Sequence, residues 1–198
     1  MQEILLATGN AKKGQELAEL LGEGWTVWTL RDFPKVPPAI EDGDTFEANA
    51  VKKALALTIT GSGLILADDS GLEVDALGGA PGIFSARYAG EPADDARNNA
   101  LLLENLATVS DAERGAQFRC VLALVAGGKL FRTFEGICRG QILRTPRGTN
   151  GFGYDPLFVP DGYAATFAEL PAATKHMLSH RGRATRQLLE FLHPPDRG

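Results

Sequence analysis

The chain is poor in cysteine: Cys120 and Cys138 are the only two among 198 residues, and no C-x-x-C occurs. That argues against a disulfide scaffold or a zinc ribbon and makes a cytoplasmic location the expectation. Long apolar runs are also missing. The longest, Cys120 to Ala126, falls far short of the roughly 20 residues that a membrane helix needs, so no membrane partner is expected. Positive charge is not in excess, with 20 Lys and Arg against 25 Asp and Glu and a net charge of −5. Proteins that track a nucleic-acid backbone are usually basic, so no nucleic-acid partner is expected either. The short apolar stretch Ile4 to Ala7 follows acidic rather than basic residues and does not read as a signal peptide. Repeats, low-complexity tracts and Pro/Gly/Ser linkers are absent. What remains is an ordinary globular composition, 44% hydrophobic and 23% charged, enough for one domain or two closely joined lobes.

The periodicities alternate between strand and helix. Ile4 to Ala7 reads as a strand running into Thr8-Gly9-Asn10, a turn and helix-start signal, and then into a helix carrying Leu17, Leu20 and Leu21. Trp25 to Leu30 fits a second strand, and Pro34, Pro37 and Pro38 keep the next segment irregular. Asp44 with Glu47 resembles a capping box, opening a helix with Phe46, Ala50, Ala54 and Leu57 on one stripe and Gly61 at its end. Leu64 to Ala67 reads as a buried strand that stops at Asp68, and Ala93 to Leu106 as a helix. Phe118, Cys120, Leu122 and Leu124 alternate as a strand does, and Gly127-Gly128 fits a two-residue hairpin into Lys129 to Cys138. Arg183 to Leu192 closes the pattern as a helix, with Ala184, Leu188 and Leu192 inward and Pro194 as its stop. This order predicts an α/β fold: a mixed sheet with flanking helices, parallel early and antiparallel in the middle.

Four groups carry chemistry. In Thr8-Gly9-Asn10-Ala11-Lys12-Lys13 a strand meets a helix start, where backbone N–H groups and the helix dipole favour an anion and Lys13 adds a full charge. It matches neither standard nucleotide loop, and the plainer alternative is N-capping by Asn10. Asp68-Asp69-Ser70-Gly71 follows an apolar strand, a place where adjacent carboxylates can hold a hard cation, with Glu41-Asp42-Gly43-Asp44 as a second acidic cluster. The alternative is a polar turn. In Gly151-Phe152-Gly153-Tyr154-Asp155 the glycines leave Phe152 accessible for base stacking and Asp155 can accept from ring N–H groups, unless the aromatics simply plug the core. A basic island of Lys175, His176, His180, Arg181, Arg183 and Arg186 suits a small polyanion or is a solvated helix face. His176 and His180 would share a helix face, which raises zinc, but no H-E-x-x-H occurs. Asn49 and Lys53 also share a face, off the apolar stripe, so Lys53 reaches a phosphate or snorkels into solvent.

Taken in order, these motifs resemble the inosine/xanthosine triphosphate pyrophosphatase family. The resemblance runs through Thr8-Gly9-Asn10 and Lys13; Glu41 to Phe46 with Asn49, Ala50 and Lys53; and Ala67 to Leu72. It continues through Gly78 to Ile83 with Ser85 to Tyr88, Gly151 to Pro156, and Ser179 to Gly182, and departs from the family's pattern at Thr174 and His176 around Lys175. It implies a single two-lobed domain over residues 1–198, an elongated mixed sheet with two lobes around a central cleft, in a homodimer. It implies hydrolysis of non-canonical purine nucleoside triphosphates (ITP, dITP, XTP) to monophosphate and pyrophosphate, with one Mg2+ per subunit. It implies phosphate contacts from the Thr8 to Lys13 loop (Thr8, Gly9, Asn10, Ala11, Lys12, Lys13) and Lys53, with Ser70 touching substrate. Glu41 and Asp69 would be metal ligands with Asp68 beside them, and Asp69 would be the proton acceptor. Phe152, Gly153, Tyr154, Asp155, Lys175, His180 and Arg181 would form the base and sugar-phosphate pocket. His180 and Arg181 would donate to a purine 6-keto oxygen, where adenine offers donors instead. The rivals are a pyrophosphatase for modified pyrimidine or canonical triphosphates and a non-catalytic nucleotide sensor, the latter not needing the acidic cluster.

Overall fold

A computed structural model describes residues 2–33, 36–37, 39–60 and 63–193. The expected irregularity at Pro34 and Pro38, the helix end at Gly61 and the stop at Pro194 lie outside the described residues.

Six strands, β1 (Gln2–Leu6), β2 (Trp25–Thr29), β3 (Leu64–Val74), β4 (Gly115–Ala126), β5 (Lys129–Ile142) and β6 (Phe158–Pro160), form one sheet in the order β2-β1-β3-β4-β5-β6. The helices are α1 (Ala11–Leu21), α2 (Phe46–Ala56), α3 (Asp95–Asn105), α4 (Ala172–Leu178) and α5 (His180–Leu192). The sheet is mixed, as expected. β1 pairs in parallel with β2 (Ile4 opposite Val27) and with β3 (Leu6 opposite Leu66), and β5 pairs antiparallel with β6. Gly127 and Gly128 join β4 to β5 with φ of 55° and 76°, the doubly left-handed backbone that a two-residue hairpin demands.

The chain divides into two compact units. The first comprises Met1–Asp69, Cys120–Gly136 and Arg181–Gly198; the second comprises Ser70–Arg119 and Ile137–His180. Each has its own apolar core. In the first, Ile4, Leu6 and Leu66 of the sheet pack with Leu17 and Leu21 of α1 and with Ala184 and Leu188 of α5. In the second, Leu72 and Val74 of β3 pack with Leu102, Phe118, Tyr154, Phe158 and Phe167. Burying one such leucine stabilises by about 2 kcal/mol.

The structure departs from the sequence reading in five places. β3 does not stop at Asp68 but continues to Val74. The acidic pair is therefore mid-strand; it is β1 that ends beside it, Ala7 N–H donating to Leu66 C=O at 2.8 Å. α2 is capped by Thr45, whose Oγ1 accepts from Ala48 N–H at 3.1 Å, not by Asp44. α5 starts at His180 rather than Arg183, and β5 runs on to Ile142. Ser179 is extended (φ −65°, ψ 156°), ending α4 and starting α5, so His176 and His180 stand on different helices. The shared face that raised zinc does not exist.

Gly140 of β5 faces β6 closely. A methyl group there would meet the Val159 carbonyl oxygen and come within 2.7 Å of the Phe158 ring. Gly140→Ala is expected to destabilise the protein by about 1–3 kcal/mol, read from urea unfolding. A loss under about 0.5 kcal/mol, the size of an ordinary surface change, would show that the strands have room to part.

Candidate active site

In the first unit, the turn between β1 and α1 is organised by its own side chains. Asn10 Oδ1 accepts from the N–H groups of Lys12 and Lys13 at 3.0 and 3.2 Å, and Thr8 Oγ1 accepts from Asn10 N–H at 3.1 Å. Capping by Asn10 and a phosphate-binding turn are thus compatible, because capping fixes the helix start whose dipole favours an anion. Gly9, Asn10, Ala11 and Lys12 lie on the exposed side of this turn. Lys13 points inward, its Nζ 2.9 Å from Asp68 Oδ1.

α2 brings the second lysine. Asn49 and Lys53 lie one helical turn apart and both are buried. Asn49 Oδ1 accepts from Gly43 N–H at 2.8 Å, and a side chain at Gly43 would collide with that amide oxygen at 2.7 Å. This contact holds the Glu41–Asp44 segment against the helix. Lys53 does not snorkel: its Nζ donates to Asp69 Oδ1 at 2.7 Å and lies 3.6 Å from Glu41 Oε1. Of the Glu41–Asp44 cluster only Glu41 reaches this ammonium; Asp42 pairs outward with Lys52 at 2.6 Å.

Asp68 is fully committed. Its Oδ2 accepts from Arg181 Nε at 3.0 Å and from Cys120 Sγ at 3.1 Å, while Oδ1 faces Lys13. Arg181 also donates through Nη1 to Glu16 Oε2 of α1. Burial pushes the Asp68 carboxyl upward, but Arg181, then Lys13 and Lys53, outweigh it and hold it well below the ordinary carboxylate range. Burial, reinforced by the Asp68 charge, drives the Cys120 thiol well above its ordinary value, keeping it a donor. For Asp69 burial wins over Lys53, and its carboxyl is raised.

Two sequence readings change here. Arg181, expected to donate to a purine keto oxygen, is 1% exposed and spends its guanidinium on Asp68 and Glu16. Asp68, expected beside the metal ligands, has both oxygens taken by cations and a thiol. Glu16 and Cys120 were missed. A carboxylate on the apolar side of α1, one turn after Lys13, was the available signal for Glu16; nothing marked Cys120.

The unit can accept a hard cation. Three cationic side chains, Lys13, Lys53 and Arg181, face four carboxylates, Glu16, Glu41, Asp68 and Asp69. Asp69 Oδ2 is buried with no hydrogen-bond partner, which is costly unless something positive meets it. Among the described residues no three His, Cys, Asp or Glu converge as a complete cage. That pattern suits magnesium, which takes one or two carboxylates and leaves the rest to phosphate oxygens and water, better than a closed zinc site.

In the second unit, Phe152 and Tyr154 separate in role. Tyr154 belongs to the core, its hydroxyl donating to Ser85 C=O at 2.8 Å. Phe152 is only partly buried, and Lys175 Nζ sits 5.0 Å from its ring centroid. Asp155 Oδ2 accepts from Lys175 Nζ at 2.7 Å and from Phe152 N–H at 2.9 Å, so it orders the loop and the lysine together. His180 lies nearly parallel to Phe118, centroids 4.8 Å apart at 12°. Ser70 is a partly buried residue of β3.

The architecture is that of solved Ham1 proteins. A HAM1 protein from Coxiella burnetii superposes with a TM-score of 0.86 at 43% identity, covering 97% of this chain and 98% of that one. The Ham1 family model matches residues 4–191, and the chain belongs to the Ham1 family. It is 52% identical over 194 residues to a protein of Geobacter sulfurreducens, covering 97% of each, and 51% identical over 191 residues to one of Desulforamulus reducens, covering 96% and 95%; both are named dITP/XTP pyrophosphatase. The motif resemblance therefore holds over nearly the full chain.

Removing the Asp68 charge tests its place in the first unit. Asp68→Asn leaves Arg181 and Lys13 without their shared anion and is expected to lower stability by about 3 kcal/mol at pH 7. Because the folded carboxyl is held below its unfolded value of ~3.9, this contribution is complete above that value and is lost as pH falls through the folded one. Urea unfolding from pH 7 to 3 should show a constant gap between wild type and variant down to about pH 4. A gap that closes between pH 7 and 5 would assign it to another group.

Proposed function

We propose that the protein hydrolyses non-canonical purine nucleoside triphosphates, dITP, ITP and XTP, to the monophosphate and pyrophosphate. The observation that carries this is the pair of inward-pointing lysines, the partly buried Lys13 and the buried Lys53, facing the adjacent carboxylates Asp68 and Asp69 beside a capped helix start. The same activity is named for its half-identical relatives. A nucleotide sensor would have no use for a buried carboxylate oxygen kept without a partner.

In this reading Lys13, Lys53 and the Thr8–Lys13 turn hold the triphosphate and stabilise the charge that grows on the transferred group. Asp69 and Glu41 would hold one magnesium ion, which when bound lowers the pKa of water and draws charge from the phosphate oxygens. Asp69 also orients a water for in-line attack at the α-phosphorus and accepts its proton. The raised Asp69 carboxyl is the more basic of the two neighbours, while Asp68, held ionised, keeps Lys13 in place. In the second unit Phe152 offers a face to the base, Ser70 contacts the substrate, and Lys175 and His180 supply donors for a 6-keto oxygen. An adenine amino group would leave such donors unpaired, at a cost of orders of magnitude in rate. We further propose a homodimer acting in the cytoplasm; no helix among the described residues is long and apolar enough to cross a membrane.

Pyrophosphate release from dITP, XTP, dGTP and dATP is expected to favour the first two by at least about a hundredfold over dATP. It should vanish in EDTA and return with magnesium. Equal rates for dITP and dATP would defeat the purine reading, and full activity in EDTA the metal. Asp69→Asn should lose about 10²–10⁴ in turnover with an unchanged circular dichroism spectrum; turnover near wild type would remove Asp69 from the role of base.

A further inference from the structure

α3 reaches the Phe152 loop with two side chains one helical turn apart. Asp95 Oδ2 accepts from Gly153 N–H at 2.9 Å, and Asn99 Nδ2 donates to Gly153 C=O at 3.0 Å. Both polar groups of this one residue are thus held by the same helix face. The loop depends on it, since Gly151 and Gly153 sit at φ of 75° and 61°, where glycine moves between wells at little cost. α3 is itself fixed. Its N-cap Asp94 accepts from Arg97 N–H at 3.0 Å, and Leu102 is wholly buried. Asn98 accepts from Ala89 N–H at 2.8 Å and donates to Ala86 C=O at 3.0 Å.

We propose that Asp95 and Asn99 are positioning residues that set the plane of Phe152 against the purine base and so determine affinity for the base rather than the rate of phosphate chemistry. The inference rests on the triphosphate-pyrophosphatase reading above and extends it to two residues outside the motifs that carry that reading. The geometry is one-sided in a useful way. Asp155 holds Phe152 from within its own loop and Lys175 reaches its ring from α4, whereas Asp95 and Asn99 hold from α3 the residue that follows it. An amide at position 95 still offers an acceptor to Gly153 N–H, while a carboxylate at position 99 faces the Gly153 carbonyl with no donor. The chemistry therefore fixes an order among the variants that stability alone would not.

The test is steady-state hydrolysis of dITP, with inorganic tripolyphosphate as a competitive inhibitor that has no base. Asp95→Ala and Asn99→Ala should each raise KM for dITP about five- to tenfold, the loss expected for one hydrogen bond. In both, kcat should move less than about twofold and the inhibition constant of tripolyphosphate should stay at its wild-type value. Asp95→Asn should restore the wild-type KM, and Asn99→Asp should be worse than Asn99→Ala. Asp95 is exposed, so its variants will fold and keep the test decisive if those at Asn99 do not. Unchanged KM in Asp95→Ala overturns the proposal. So does a parallel loss of kcat and tripolyphosphate binding, which marks a merely structural role. A wild-type protein that releases no pyrophosphate from dITP overturns the functional reading and this inference with it, a result distinct from an active wild type with indifferent variants.

Discussion

A carboxylate with a wholly buried side chain in the middle of β3 sets the terms for the first unit. The cost of placing Asp68 there is several kcal/mol unless opposite charge meets it with good geometry. Three elements therefore converge on it: α1 through Lys13, α5 through Arg181 and β4 through the Cys120 thiol. Arg181 in turn cannot stand alone, and Glu16 from α1 completes it. Two helix starts are pinned to one strand position by this web. The turn at Thr8 and Asn10 inherits its position from the same contacts.

Asp68 and Asp69 are neighbours in sequence with opposite surroundings. Successive side chains of a strand point to opposite faces, so Asp68 meets Arg181, Lys13 and the thiol while Asp69 meets Lys53 and lies near the ammonium that Glu41 shares. Their carboxyls are displaced in opposite directions, Asp68 down and Asp69 up. Two like groups given unlike environments are what acid–base chemistry near neutrality requires. The strand's period of two accomplishes this without any further device. In the second unit a comparable economy holds: Asp155 accepts from both Phe152 N–H and Lys175, so one carboxylate orders an aromatic face and a cation together.

Much of this was legible beforehand, for reasons that differ by feature. The β1–α1 turn could be read because a cap, a small residue and a helix period are local properties. The hairpin at Gly127-Gly128 could be read because two successive left-handed residues suit glycine, with few other residue types accepted there. The stripe Phe46, Ala50, Ala54 and Leu57 is buried as its spacing required. β3 misled, because polar residues after Ala67 look like a strand end when the cations that neutralise them come from distant segments. Thr45 took the cap from Asp44 by one residue, although Asp is the slightly better N-cap, a choice that local sequence does not decide.

The sequence by itself determined the order of elements, the family and the residue types available for catalysis, since these follow from periodicity, turn chemistry and motif spacing. Only the tertiary structure decided which charge meets which. Arg181 moved from a base donor to a buried partner of Asp68 and Glu16, Lys53, open between a phosphate and solvent, turned inward to Asp69, and His176 and His180 moved from one helix to two. Pairing of buried charges depends on distances across segments as much as 165 positions apart. No periodicity encodes such distances; they exist only once the strands and helices have packed.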